Sequence, residues 1–177
     1  EDSAKQLTKA FTDKSFDFFE TKKFNNLFFA TMTEYGKSFT AKPIFKREVI
    51  KNTLGEVLEA NGKKQLHIAE TIKYAHATYF FNGLREDGFK NEVDVLIPSI
   101  QNYLENPEMK IKEITGKIIE ELEQGNHEFT VANFANPDML SHTGNLEATV
   151  RGIEAVDQSV GQIFKTGRGK EAVILIT

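Results

Sequence analysis

From Thr53 onward, short apolar runs alternate with longer amphipathic stretches, and this alternation limits the fold more than any other feature of the chain. Thr53, with Glu56 three residues on, has capping-box spacing. The helix it opens runs through Val57 and Leu58 and stops at Asn61-Gly62. Gln65 to Ala69 reads as a short strand, Lys73 to Phe81 as a helix closed by Asn82-Gly83, and Val93 to Ile97 as a strand ended by Pro98. Ile111, Ile114, Ile118, Ile119 and Leu122 share one helical face that ends at Gly125. Phe129 to Phe134 is the next strand. Leu146, Val150, Ile153, Val160 and Phe164 stripe a long helix, and Ala172 to Ile176 reads as a last strand. Helices and strands in strict alternation predict parallel βαβ units in a three-layer α/β sandwich.

The first ~50 residues have a different texture, richer in Phe and Lys, and suggest a neighbouring domain with a boundary between Lys46 and Asn52. Within them, Ser3 to Phe11 has helical spacing, with Leu7 and Phe11 at i and i+4. Leu27 to Met32 reads as a buried strand. Thr33 to Phe45 reads as loop or edge, broken by Gly36 and Pro43.

Composition removes several function classes. Lys+Arg 22 against Asp+Glu 26 leaves a net charge of −4 and a pI near 5.7, the wrong balance for a binder of nucleic-acid phosphates. The absence of cysteine excludes a disulfide scaffold and any thiolate metal or redox site. No apolar run has the ~20 residues of a membrane span, and no signal-peptide pattern opens the chain, so a soluble cytoplasmic protein with no membrane partner is expected. The chain starts at Glu1 rather than Met and stops at Thr177 directly after an apolar run, as expected of a stretch of something longer.

Two stretches carry the candidate chemistry. Asn133 to Asn145 follows a predicted strand and precedes a helix, the position where ligands gather in open α/β sheets. Within it, Asp138 and His142 are four residues apart and share a face on a helical turn. A carboxylate with an imidazole suits Mn²⁺, Zn²⁺ or Fe²⁺, and two ligands alone do not close a site. The same residues also suit an Asn/Asp/Pro turn in which Asp138 caps and His142 lies on the surface. The second stretch, Ile68 to Gly83, again runs from strand end into helix, where Glu70, Lys73 and His76 can face a cleft. Lys73 is a compact charge suited to phosphate; its plainer reading is a solvated lysine on an amphipathic helix. Thr166 to Lys170 lacks Walker spacing and reads as a helix-to-strand turn.

The segments Asn52 to Leu58, Gln65 to Gly83 and Asn133 to Ala148, with Glu154-Ala-Val-Asp and Val173-Ile-Leu-Ile-Thr, resemble the cofactor-independent (2,3-bisphosphoglycerate-independent) phosphoglycerate mutases, in order across nearly the whole chain. The resemblance implies an alkaline phosphatase-like α/β domain with a mostly parallel sheet, here residues 48–177. Residues 1–47 would be the end of an inserted phosphotransferase domain. It further implies interconversion of 3- and 2-phosphoglycerate through a phosphoserine, two manganese ions, a monomer, and phosphoglycerate as the small-molecule substrate. By it, Asp138 and His142 match two ligands of one metal, and Lys73 matches the lysine that contacts nucleophile and phosphate. The family's serine lies upstream of this stretch, the Asp-His pair of the other metal comes two residues after Thr177, and a further histidine ligand comes later still. Its Arg-x-x-Arg substrate clamp ends at Ser3, which is not arginine, and its Ser-Pro-Lys and Tyr-Asp positions read Ser99-Ile100-Gln101 and Tyr103-Leu104. The stretch alone is therefore expected to be inactive. Another phosphohydrolase of the superfamily, or a non-catalytic binding module, is the alternative.

Overall fold

The computed structural model describes residues 2–22, 24–36 and 38–177. It divides into two compact units, Glu1–Glu48 and Val49–Thr177. The first holds helix α1 (Asp2–Thr12) and two short strands, β1 (Ala30–Thr33) and β2 (Lys42–Phe45), which pair in parallel. The expectation of a buried strand from Leu27 to Met32 needs correction. The strand begins three residues later, and Phe28 and Met32 are 77% and 62% exposed. The ladder is fixed by pairing with β2, inside the segment read as loop or edge; Pro43 fits there because its partner is a short strand with a single neighbour. Phe11 stacks on Phe24 and Phe29, so this unit draws its cohesion from rings rather than from a β-branched core.

The second unit is built on three parallel strands in the order β4-β3-β5: β3 (Gln65–Glu70), β4 (Glu92–Ile97) and β5 (Phe129–Asn133). All six residues of β3 are buried. This is what a central strand covered on both faces requires, and it explains why its sequence is not a clean alternation. Residues of one parity, Ile68 with Val95, Ile97 and Ala132, meet helix α3 (Ile111–Gln124) and helix α5 (Leu146–Arg168) through Ile114, Ile118 and Ile163. Ile68 and Ile114 are 0% exposed, and burial of each stabilises the fold by roughly 1.5–3 kcal/mol. Residues of the other parity meet the segment that follows β3; the His67 ring packs edge-on against Phe81. Helical layers on both faces of a parallel sheet give the three-layer α/β arrangement.

Local signals account for most boundaries. Helix α2 (Leu54–Ala60) opens at Thr53, whose hydroxyl accepts the Glu56 N–H at 3.4 Å. The Glu56 carboxylate reaches back to the Asn52 N–H rather than to Thr53 itself, a capping box displaced by one residue. Helix α3 ends at Gly125 with φ of 66°, where a side chain would be strained. Asn145 caps α5 by accepting the Ala148 N–H at 3.0 Å.

Three further expectations are revised. The single helix expected over Lys73 to Phe81 is a 3₁₀ turn (Thr71–Lys73) followed by a π-helical turn (His76–Phe80), which the Leu84 N–H to Tyr79 carbonyl bond continues. Mixed turn types rotate successive side chains differently from a uniform α-helix, so 3.6-residue spacing mispredicts which of them share a face. Helix α5 continues to Arg168, through part of the stretch read as a turn. Ala172 to Ile176 joins no ladder; it turns Ala172 and Ile174 toward Gly167 on α5, and Ile174 packs against the isoleucine core. Val173 and Leu175 face outward, 89% and 85% exposed.

Two predictions follow from the packing. Gly152 of α5 leaves room for Leu140: a Cβ there would lie 2.2 Å from Leu140 Cδ1 and 3.4 Å from the Pro107 carbonyl. Gly152→Val should therefore destabilise the fold by about 2 kcal/mol or more in urea denaturation, outweighing any gain in helix propensity. The buried Glu70 carboxylate accepts the Lys110 N–H at 3.0 Å, while its other oxygen has no partner. Burial raises its pKa above the ordinary 4.5, and the hydrogen bonds from Lys110 and Ser99 oppose that only in part. A folded pKa above the unfolded one means stability is greatest below the ordinary carboxylate range and falls as pH rises through the raised value. Glu70→Gln should flatten that part of the stability–pH curve.

Candidate functional site

The carboxyl ends of β3 and β5 lie side by side, with Ala69 opposite Asn133. In a parallel sheet this is the rim where chain leaves the strands and polar loops collect. β3 is followed at once by the 3₁₀ turn that ends in Lys73. The turn is tied to the end of β4: the Ser99 hydroxyl accepts the Ile72 N–H at 3.3 Å, and the Thr71 hydroxyl accepts the Ser99 N–H at 3.3 Å. β5 is followed by helix α4 (Asn136–Ser141), with Pro137 in its first turn, where the missing N–H costs nothing.

Helix α4 is short and is held by tertiary contacts. Leu140 and Asn136 are 0% exposed. Leu140 sits over Gly152 of α5, and the Asn136 side-chain amide donates to the Pro107 carbonyl at 2.7 Å. With those two residues turned inward, Asp138 and His142 are presented on the outer side of the turn, 46% and 77% exposed.

The structure brings Lys73, Asp138 and His142 together. Lys73 Nζ lies 2.5 Å from Asp138 Oδ2, and His142 Nε2 lies 3.5 Å from Asp138 Oδ1. The Lys73 side chain is only 15% exposed, so it is not the solvated lysine of the plainer reading. The hydrogen bond from Lys73 holds the Asp138 carboxyl below the ordinary carboxylate range, with the charges of Lys73, His142 and His76 adding to it. At neutral pH the site thus presents an ionised carboxylate flanked by an ammonium and an imidazole. One carboxylate oxygen faces the cation and the other faces the ring. His76 is exposed, packs with its ring tilted against Phe80, and lies near enough to Asp138 to help hold that carboxyl ionised. Glu70 does not join the group; its carboxylate is spent on the start of α3. The Thr166–Lys170 stretch contributes Lys170 to a C-terminal carbonyl of α3, that of Glu123, at 3.2 Å, a helix-end contact.

The Metalloenzyme superfamily model matches residues 5–177, and the chain belongs to that superfamily. Within it, the similarity is to 2,3-bisphosphoglycerate-independent phosphoglycerate mutases. The one from Staphylococcus saprophyticus is 44% identical over 177 residues, covering 98% of this chain and 35% of the relative. The one from Clostridium botulinum is 45% identical over 179 residues, covering 99% and 35%. A structure described as Leishmania mexicana phosphoglycerate mutase at low cobalt concentration superposes with a TM-score of 0.69 at 31% identity, covering 93% of this chain and 31% of that one. The chain spans about a third of the length of the curated relatives it matches.

Asn136 is the site residue that sequence reasoning passed over, since an Asn before Pro reads as turn chemistry and its partner Pro107 is remote in sequence. Asn136→Ala leaves the Pro107 carbonyl without its donor. It should cost about 1–3 kcal/mol in urea denaturation, and it should loosen the Asp138 turn, seen as faster amide exchange over 138–142.

Proposed function

We propose that this chain is part of a 2,3-bisphosphoglycerate-independent phosphoglycerate mutase, an isomerase that interconverts 3- and 2-phosphoglycerate in glycolysis and gluconeogenesis through a phosphoserine. The observation that carries this reading is the meeting of Lys73, Asp138 and His142 at one rim of the parallel sheet. In this reading residues 1–47 are the end of the inserted phosphotransferase domain and residues 48–177 are part of the metal-binding phosphatase-like domain. The nucleophilic serine and the remaining ligands come from elsewhere in the enzyme. The protein works as a monomer in the cytoplasm on a small phosphorylated acid.

Asp138 and His142 suit a divalent first-row ion. Their facing donor atoms, 3.5 Å apart, are close to the roughly 3.0–3.4 Å between neighbouring ligands around such an ion. We assign manganese, one ion here and a second held by residues beyond this chain; the Leishmania relative's low-cobalt structure supports a metal of this class. When bound, the ion pair supplies Lewis-acid polarisation of phosphoryl oxygens and a lowered serine pKa.

The chain's own part is positional and electrostatic. Lys73, largely enclosed and held against Asp138, keeps an ammonium where negative charge spreads over the phosphoryl oxygens during transfer. The ties of Thr71 and Ser99 hold that ammonium's turn in place before substrate arrives. Ser3 cannot supply the charge of the clamp arginine expected at its position, so phosphate binding on that side rests on other groups.

The chain by itself should show no mutase turnover on 3-phosphoglycerate. In a polypeptide that also carries the remaining ligands, Mn²⁺ should bind, followed by electron paramagnetic resonance, and Asp138→Asn with His142→Gln should remove one bound equivalent. In a polypeptide that also carries the serine and the other ligands, Lys73→Ala should lower kcat by on the order of 10²–10³-fold with metal content unchanged. Full activity of that variant would overturn the role given to Lys73. Release of inorganic phosphate without transfer would point to a phosphohydrolase instead.

A further inference from the structure

Away from that rim, on the face of the sheet opposite the isoleucine core, His67 of β3 lies opposite Asp94 of β4, and Glu92 stands two residues before Asp94 on the same face. The three offer donor atoms that all lie within 4.8 Å of one another. His67 Nδ1 is 3.3 Å from Glu92 Oε1 and 3.9 Å from Asp94 Oδ1. His67 and Glu92 are sealed in, with side chains 0% and 1% exposed, while the Asp94 side chain is 29% exposed and opens the group to solvent.

The hydrogen bonds around the ring fix which nitrogen faces the acids. The Gln65 amide donates to the Gly55 carbonyl and to Asn91, so its carbonyl oxygen is the atom turned to His67 Nε2, at 3.3 Å. Nε2 therefore carries the proton. Burial also keeps the ring neutral, against the opposing pull of Glu92 and the Ala77 carbonyl. Nδ1 is then a bare lone pair, fully buried and without a hydrogen-bond partner, aimed at two carboxylates. A lone pair facing acceptor oxygens is repulsive unless a proton or a metal cation lies between them; burial and the hydrogen bond shared with Glu92 push the Asp94 carboxyl up to about 7, so this group holds a proton that a divalent cation would displace.

We propose that His67, Glu92 and Asp94 form a second, structural site for a divalent first-row cation, separate from the Asp138–His142 rim. One imidazole and two carboxylates suit Zn²⁺ or Co²⁺. The 3.3 Å between Nδ1 and Glu92 Oε1 already matches the roughly 3.3–3.4 Å edge of a tetrahedral zinc site, and Asp94 closes on the ion by a small side-chain movement. Its supporting shell is in place. Asn82 donates to Glu92 Oε1 at 2.7 Å, the Phe89 N–H donates to Oε2 at 3.0 Å, and Gln65 orients the ring. The Tyr74 hydroxyl bonds Asp94, so a bound ion would brace the residue next to Lys73.

The test uses the 177-residue chain carrying Asp138→Asn and His142→Gln, so that the rim cannot contribute. Isothermal titration with Zn²⁺ should show one equivalent bound. Co²⁺ should give visible d–d bands, and the melting temperature should rise with metal concentration. Adding Asp94→Asn should weaken binding at least about tenfold, since losing a ligand costs no less than losing a second-shell partner. Asp94 is partly exposed, so this variant should fold where His67→Gln does not. Binding seen in the unmodified chain but lost with Asp138 and His142 would assign all the metal to the rim and overturn the proposal. Binding that survives Asp94→Asn unchanged would overturn it too. Neither result overturns the reading of the rim as a Mn²⁺ site, which is tested separately by the resonance titration of the polypeptide that carries the remaining ligands.

Discussion

A strand buried on both faces and paired on both edges has no freedom of register, and β3 is such a strand. Its backbone groups are taken by β4 on one side and β5 on the other, and a slip of one residue would turn Ile68 out of the isoleucine core and His67 into it. Everything chemically interesting in the second unit is placed relative to this strand. Lys73 comes three residues after its end, Asp138 comes shortly after the end of its neighbour, and His67 sits in its middle. Parallel pairing puts strand ends of like polarity together, so a lysine and an aspartate far apart in sequence meet at one rim.

The rim is precise because small contacts, each worth little, act on short elements. Helix α4 is too short to be stable alone. It is positioned by a buried leucine against a glycine gap and by one side-chain amide on a carbonyl. The Lys73 turn is positioned by reciprocal hydroxyl contacts with the end of β4. Between the two lies an ion pair in which the carboxylate is nearly half exposed. Such a pair adds little to stability; its consequence is electrostatic, an acid held ionised beside an ammonium held still.

Much of this was legible in the chain. Periodic isoleucines marked α3 and its glycine stop, the apolar stripe from Leu146 to Phe164 marked α5, and the alternation of elements predicted a parallel sheet between helical layers. Asp138 and His142 were legible as a pair because four residues on a helical turn is a local distance. Ala172 to Ile176 misled, because apolar character makes a segment strand-competent while only a neighbouring edge makes it a strand. Leu27 to Met32 misled differently: a strand does form from Ala30, but its apolar residues Phe28 and Met32 are exposed, because apolar character does not fix burial. The helix expected over Lys73 to Phe81 was misjudged for another reason: hydrophobic spacing does not separate 3₁₀ and π turns from α ones.

The sequence by itself determined most of the helices and core strands of the second unit, the class of fold and the local donor pair on α4, since each depends on patterns among residues near one another in the chain. Only the tertiary structure decided that Lys73 faces Asp138, that Asn136 finds Pro107, and that His67 faces Glu92 and Asp94. Those meetings depend on strand order and register, which follow from the packing of whole layers and leave no mark at any single position.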